Sequence, residues 1–347
     1  FQSARLSDPA TADWAIANGC VDMAGMTRPL IADPELVAKL ETGNEERIRP
    51  CVGAGYCLDR IYAGRDTLCQ HNVSTGRETH LPHTIEAADE RLRCIVVGGG
   101  PAGLEASRVL ALRGHSVDLF EAASQLGGQI RLAAMGGWRK DIAGVADWLV
   151  AEIEYLDVRV HLNRYVEAVD LPDFEPDVII VATGGLPRSE LPDGGGELAL
   201  SAWDVLAGGK LPDGEILIYD AVGAHCALSL ADRLSAAGRV VTIVTPDRQL
   251  GRGLGGQNYP VYLRNLHNQG ATILTDRALT GLRGEQGRRV ASLRHAFARS
   301  HEEIAADVVI VDLGTESLDE LFHELTVDAF NFGEYDYEAL VALSPQP

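Results

Sequence analysis

The stretch that most constrains this chain is residues 93–121. A short apolar run, Cys94 to Val97, ends in the spacing Gly98-x-Gly100-x-x-Gly103. A helical pattern follows at Ala106, Val109, Leu110 and Leu112, and Gly114 closes it. A second apolar run, Val117 to Phe120, ends in Glu121. Strand, glycine turn, helix, strand and acid in that order predict a dinucleotide-binding βαβ unit. Gly98 allows the tight turn, Gly100 lets the backbone approach a pyrophosphate, and Gly103 lets the helix pack close to the strand. The helix N-terminus then faces the phosphates. Glu121 stands where a carboxylate can take both ribose hydroxyls. The alternative is a unit whose glycines serve packing alone.

The residues that follow favour FAD over NAD. Gly127-Gly128-Gln129 comes soon after Glu121, and Asp177 to Val181 reads as a buried strand ending in Ala182-Thr183-Gly184. This trio of motifs resembles the FAD domain of the flavoprotein disulfide reductases. The resemblance implies FAD, or its ADP half, held by Gly98, Gly100, Pro101, Ala102, Gly103, Glu121, Gly128, Gln129, Val166, Ala182, Thr183 and Gly184.

The 347 residues suffice for two or three domains, and 46% hydrophobic content can fill their cores. No apolar run approaches the ~20 residues that span a bilayer. The net charge of −20, from 50 acidic and 30 basic residues, argues against nucleic acid and anionic lipid as partners. Of the six cysteines, Cys51, Cys57 and Cys69 cluster, whereas Cys20, Cys94 and Cys226 stand apart. That clustering points to metal or redox work in a reducing compartment, and a cytoplasmic location is expected.

Residues 1–50 read as strand, helix, strand, helix. Asp8-Pro9 starts the first helix and Gly19 ends it; Cys20 to Met26 is strand-like; Asp33-Pro34 starts the second helix, ended by Gly43. Two lone parallel strands cannot stand alone, and one solution makes them the last units of a (β/α)8 barrel. The chain opens at Phe1 without a Met, so earlier barrel strands are expected outside it. Arg28, at the C-terminal end of the second strand, is then placed for a ligand phosphate; the alternative is a surface loop arginine.

Two runs in this region, Met26-Thr-Arg-Pro-Leu-Ile-Ala-Asp-Pro34 and Arg49-Pro-Cys-Val-Gly53, closely resemble one flavoenzyme family. It holds trimethylamine, dimethylamine and histamine dehydrogenases and bacterial 2,4-dienoyl-CoA reductase. These are old-yellow-enzyme barrels fused to disulfide-reductase-like nucleotide domains. The resemblance implies FMN in the barrel, its phosphate held by Arg28 and by Ala4 and Arg5. It also implies an iron–sulfur cluster just after the barrel, on Cys51, Cys57 and Cys69. The family pattern has a fourth cysteine where Ala54 stands. A cluster with a non-cysteine fourth ligand (His71 or Asp59), a three-iron cluster, or an empty site all remain open. The run Cys51-Val-Gly-Ala-Gly-Tyr-Cys-Leu-Asp-Arg60 also resembles bacterial demethylases of N-methylated amino acids and betaines.

Residues 79–92 read as a linker, with His80 and His83 part of it. Residues 214–245 repeat the strand–turn–helix–strand outline without its glycines. Laid over the first turn, Gly98, Gly100 and Gly103 become Asp220, Val222 and His225, with only an offset Gly223. A carboxylate there repels a pyrophosphate, so the fold is expected to persist without NAD(P). Gly251 to Gly256 reads as a glycine-rich connection, and Ala306 to Gly314 as a strand returning to the first domain.

The expected architecture is therefore α/β: the C-terminal part of a (β/α)8 barrel (1–50), an iron–sulfur segment and linker (51–92), an FAD/ADP domain (93–200), a second, degenerate Rossmann-like domain (201–325) and an unassigned tail (326–347). The expected function is oxidation or N-demethylation of a small methylated amine or amino acid. Electrons would pass to a protein acceptor such as an electron-transferring flavoprotein, in a homo-oligomer. The rival readings are an NAD(P)H-dependent dienoyl-CoA or enoate reductase and a non-catalytic electron-relay subunit. No catalytic residue is expected in this chain.

Overall fold

A computed structural model describes residues 1–3, 6–330, 332–334 and 336–342. Ala4 and Arg5 lie outside the described residues. The chain forms two compact units, one of residues 1–130, 141–184 and 318 onward, the other of residues 131–140 and 185–317.

The first unit begins with helices α1 (Pro9–Ala17), α2 (Thr27–Ala32) and α3 (Leu36–Glu41). The cap of α1 follows its sequence. The Thr11 N–H donates to Asp8 Oδ1 at 2.7 Å, Pro9 is the first helical residue, and Gly19 turns the chain at φ 67°. The two strands expected here reduce to one parallel bridge between Gln2 and Ala24. A ladder needs partner strands to satisfy its backbone groups, and among the described residues no barrel forms. Arg28 accordingly lies in the first turn of α2 rather than at a strand end.

Helix α4 (Tyr56–Tyr62) follows Gly53 and Gly55, both left-handed at φ 65° and 85°. Then come β1 (Arg93–Val97), α5 (Pro101–Leu112), β2 (Ser116–Phe120), α6 (Gln129–Ala134), α7 (Ala143–Tyr155), β3 (Arg159–His161) and β4 (Val178–Val181). The strands make a parallel sheet in the order β3-β2-β1-β4. Successive side chains of a strand point to opposite faces, and both faces of β1 are covered. Cys94 and Val96 pack with Leu104 of α5 and Trp148 and Leu149 of α7. Ile95 and Val97 pack with Phe120, Val166 and Leu171.

The second unit contains β5 (Gly185–Pro187), β6 (Leu200–Ser201), α8 (Ala202–Ala207), β7 (Glu215–Asp220), α9 (His225–Ala236), β8 (Val240–Val244), α10 (Tyr259–Asn268) and β9 (Thr272–Leu274). After these run β10 (Arg277–Glu285), β11 (Arg288–His295), β12 (His301–Ala306), β13 (Val308–Asp312) and β14 (Thr315–Ser317). A parallel sheet has the order β6-β13-β7-β8-β9, and β10-β11-β12 is an antiparallel layer beside it. Ile216 and Ile218 of β7 face α9, whereas Leu217 and Tyr219 pack on Leu279, Ala291 and Leu293 of the antiparallel layer. The chain re-enters the first unit at Leu318, whose N–H donates to the Gly184 carbonyl at 3.0 Å, before α11 (Glu320–Thr326). The crossing at 184–185 falls inside the span that the sequence assigns to the first nucleotide domain.

Candidate functional site: two glycine-turn positions and a cysteine segment

The first turn has the shape its glycines imply. Gly98 takes φ 109°, where an added Cβ would stand 2.3 Å from the Ala182 carbonyl oxygen. At Gly103 an added Cβ would lie 1.8 Å from the Gly98 carbonyl oxygen, so α5 packs against the turn at a distance only glycine allows. Gly100, the residue before α5, differs from both. A Cβ there would meet nothing within 4 Å. Gly98 and Gly103 are therefore glycines because the protein is there, and Gly100 because space is left open. That open cradle lies at the N-terminus of a twelve-residue helix, where free N–H groups and the helix dipole favour an anion. The residues present fit a dinucleotide pyrophosphate.

The neighbours converge on the same cradle. Gly128, at φ 48°, brings its backbone against Gly100, an added Cβ standing 3.0 Å from the Gly100 Cα. The Gly127 N–H donates to the Gly99 carbonyl at 2.8 Å. Gln129 opens α6, and its Nε2 lies 3.8 Å from a Cβ placed on Gly184. Pro101 and Ala102 form the first turn of α5, and Ala182 donates its N–H to Val97 at 2.8 Å. Glu121 closes β2, and its two oxygens accept the N–H groups of Gly99 and Ala123 at 2.7 Å each. An ionised carboxylate offers about four acceptor positions, so two remain for hydroxyl donors. The Thr183 hydroxyl is committed to the Leu318 carbonyl. Val166 is buried in the core beneath β1. Two further residues shape the turn without a distinct sequence signal. A Cβ on Gly99 would collide with Leu126 at 2.4 Å, and Leu318 holds Thr183 from 135 residues away.

Cys51, Cys57 and Cys69 are half-buried free thiols of the same unit. Burial pushes the Cys57 thiol up, and the neighbouring Cys51 and Cys69 add to this; the Leu58 N–H and the charge of Arg28 oppose it. Arg28 is thus near enough for its charge to act on the Cys57 thiol. His71 sits beside Cys69, and its backbone N–H points at the Cys69 sulfur at 3.4 Å. Burial holds the His71 ring neutral, with its pKa down at about 4. Its Nδ1 lies 3.1 Å from the Pro50 carbonyl oxygen. A carbonyl only accepts, so Nδ1 carries the hydrogen and Nε2 a bare lone pair, buried without a partner. Thiols with a neutral imidazole are donors of the kind that soft metals take. Among the described residues, no three His, Cys, Asp or Glu side chains are drawn together as a closed ligand set.

The second turn is built the other way. Asp220, at the end of β7, is fully buried. Its Oδ1 accepts the N–H groups of Val222 and Gly223 at 3.1 and 2.7 Å. The glycine-rich connection folds over this turn: the Gly253 N–H donates to the Gly223 carbonyl at 2.9 Å, and the Arg252 Cγ stands 2.9 Å from a Cβ placed on Gly223. His225, at the start of α9, has its pKa down at about 4, from burial and then the charge of Arg139. Its Nδ1 lies 3.2 Å from the Tyr262 hydroxyl. Among the described residues, no helix is long and apolar enough to cross a membrane.

Known proteins resemble this chain over its whole length. It is 43% identical over 346 residues to a probable N-methylproline demethylase of Rhizobium meliloti, covering 100% of this chain and 51% of that protein. It is 41% identical over 352 residues to an N,N-dimethylglycine/sarcosine dehydrogenase of Chromohalobacter salexigens, covering 99% and 51%. Among solved structures, 6-hydroxypseudooxynicotine amine oxidase from Pseudomonas geniculata N1 superposes with a TM-score of 0.87 at 29% identity, covering 95% of this chain and 51% of that one. The chain thus spans about half the length of the curated relatives it matches. The signature described as "Pyridine nucleotide-disulphide oxidoreductase" matches residues 92–337. With its open first turn, its paired parallel sheets and that match, the chain belongs to the pyridine nucleotide-disulphide oxidoreductase family.

Proposed function

We propose that this chain is the nucleotide- and electron-carrying part of a flavin-dependent oxidoreductase that oxidises, and thereby demethylates, a small N-methylated amine or amino acid. The substrate class rests on what the relatives act on. The observation that carries the electron route is the contrast between the two turns. Gly100 leaves a cradle open at a helix N-terminus, whereas in the second turn Asp220, at the position of Gly98, turns a carboxylate on the N–H groups of Val222 and Gly223. Bringing a second anion there costs about 1 kcal/mol at ~4 Å in water and about 4 kcal/mol at an effective dielectric of ~20.

In this reading FAD, or its ADP half, lies along Gly98, Gly100, Gly103, Glu121 and Gly128. When bound, FAD supplies redox chemistry that side chains lack. The chain's own part is positioning: α5 presents N–H donors, Glu121 holds the loop at Gly99 and keeps acceptors for hydroxyls, and Gly128 backs the cradle. Cys51, Cys57 and Cys69 would hold an iron–sulfur centre through thiolates, with His71 beside them and the charge of Arg28 offsetting theirs. Arg28 remains the described residue proposed for an FMN phosphate. Electrons leave to a protein acceptor of the electron-transferring flavoprotein kind.

Cofactor and product analysis of the intact protein tests this. Acid extraction should release an adenine nucleotide, and iron should be present after anaerobic purification. Turnover of an N-methylated amino acid with an artificial acceptor should release formaldehyde. Reduction of an enoate instead, with no formaldehyde from any methylated amine, would reverse the assignment.

A further inference from the structure

Asp220 is not alone in the second turn. Strands β7 and β13 are parallel neighbours, and Asp312, the last residue of β13, stands in register with Asp220, the last residue of β7. Residues paired this way project on the same face of a sheet within reach of each other. Asp312 is also buried, at 7% exposure. Its Oδ1 accepts the Gly314 N–H at 3.4 Å, and the Ala227 N–H of the first turn of α9 also acts on it. The donors that would meet a pyrophosphate are thus turned on the chain's own carboxylates.

Each carboxylate has one oxygen left over. Asp220 Oδ2 and Asp312 Oδ2 are both buried without a hydrogen-bond partner. Two buried carboxylates on paired strand positions do not both stay ionised readily without a cation, and among the described residues no ion pair reaches either one. Asp247, from the loop after β8, adds a third negative charge. Arg252 is paired with Asp247 at 3.1 Å. The remaining titratable neighbours are Tyr219 on β7 and the Cys226 thiol on α9, whose S–H donates to Asp312. Burial pushes both up, so both stay neutral.

We infer that Asp220 and Asp312 form a buried carboxylic acid–carboxylate pair that holds one proton between them and fills the anion site of the second nucleotide fold. The pair is an internal replacement for the dinucleotide pyrophosphate. It keeps the turn N–H groups satisfied, which lets the fold persist without a nucleotide. The inference rests on the reading that this turn takes no nicotinamide, yet the two can fail separately: one is read from a proton, the other from flavin reduction.

The sign of the pH dependence follows. The Asp220 pKa is raised to about 6, first by burial and then, among its charged neighbours, by Asp312. An unfolded aspartate titrates near ~3.9. The stabilising proton is therefore fully held below about pH 4, and its contribution is lost as pH rises through about 6.

Infrared spectroscopy of the intact protein in D2O reads this proton through the C=O stretch of a protonated carboxyl. At about pH 5.5 we expect that band in the wild type, fading as pH rises through about 6. Asp220→Asn and Asp312→Asn should each abolish it, because either leaves a lone carboxylate beside an amide donor. A wild type without the band, or with one that disappears below pH 5, overturns the pair without any variant. A band that survives in one variant assigns the proton to a single residue and overturns the sharing.

Discussion

At the residue scale, the first turn gives an unusual separation of packing from function. Gly100→Val should leave the fold intact, because the added atoms enter open space, yet weaken adenine-nucleotide binding by at least about 100-fold, ~3 kcal/mol. Equilibrium dialysis alongside a thermal melt checks both halves. Gly103→Val should do the reverse of a clean binding lesion: its side chain meets the Gly98 carbonyl, and overpacking of this kind costs about 1–3 kcal/mol in stability. Denaturant midpoints of the two variants compared directly would show it. The spacing Gly98-x-Gly100-x-x-Gly103 makes the turn and packing roles of Gly98 and Gly103 legible in the sequence, since each answers a local steric demand. Asp312 was not legible. It lies far along the chain from Asp220, and only the register of β13 on β7 brings the two together.

At the scale of elements, residues 45–50 are fastened to α7. The Arg47 guanidinium makes a two-pronged pair with Glu152, at 2.8 Å to each oxygen, and lies 3.9 Å over the Tyr155 ring. The Trp148 indole N–H donates to the Arg47 carbonyl at 3.1 Å. Glu152 is nearly buried, while the Arg47 side chain is 25% exposed. Glu152→Ala should therefore cost about 2 kcal/mol, below the ~3–5 of a fully buried pair. Limited proteolysis should show faster cleavage near residues 42–50. The cysteine segment follows directly, and Ala54→Cys tests it. If the three thiols hold a cluster, a fourth thiolate should shift its reduction potential and slow its loss in air, measured by EPR-monitored titration. An unchanged potential would place residue 54 outside the site. The cap of α1 is legible in Asp8-Pro9 and Gly19, because caps are local chemistry, whereas Asp33-Pro34 does not cap α3, which begins at Leu36 behind Glu35 without a side-chain cap. Cys20 to Met26 has strand composition but only one bridge, because a strand is completed by partners that composition does not supply. The layer β10-β11-β12 was missed although Gln286-Gly287 carries a hairpin signal, both residues being left-handed at φ 50° and 80°.

Across the whole molecule, one fold serves twice with opposite outcomes. Both sheets are parallel and both place a helix N-terminus over a strand end, but one turn is left open and the other is filled by acid. The sequence disclosed the loss of glycines in the second turn; it could not disclose what replaced the ligand. Rapid mixing of the intact oxidised protein with NADH, with NADPH and with an N-methylated amino acid tests the central claim directly. The methylated substrate should bleach the flavin absorbance, while either nicotinamide should leave it unchanged over many seconds. Bleaching within a second by sub-millimolar NADH or NADPH would contradict it and would make the second turn a working nicotinamide site despite Asp220.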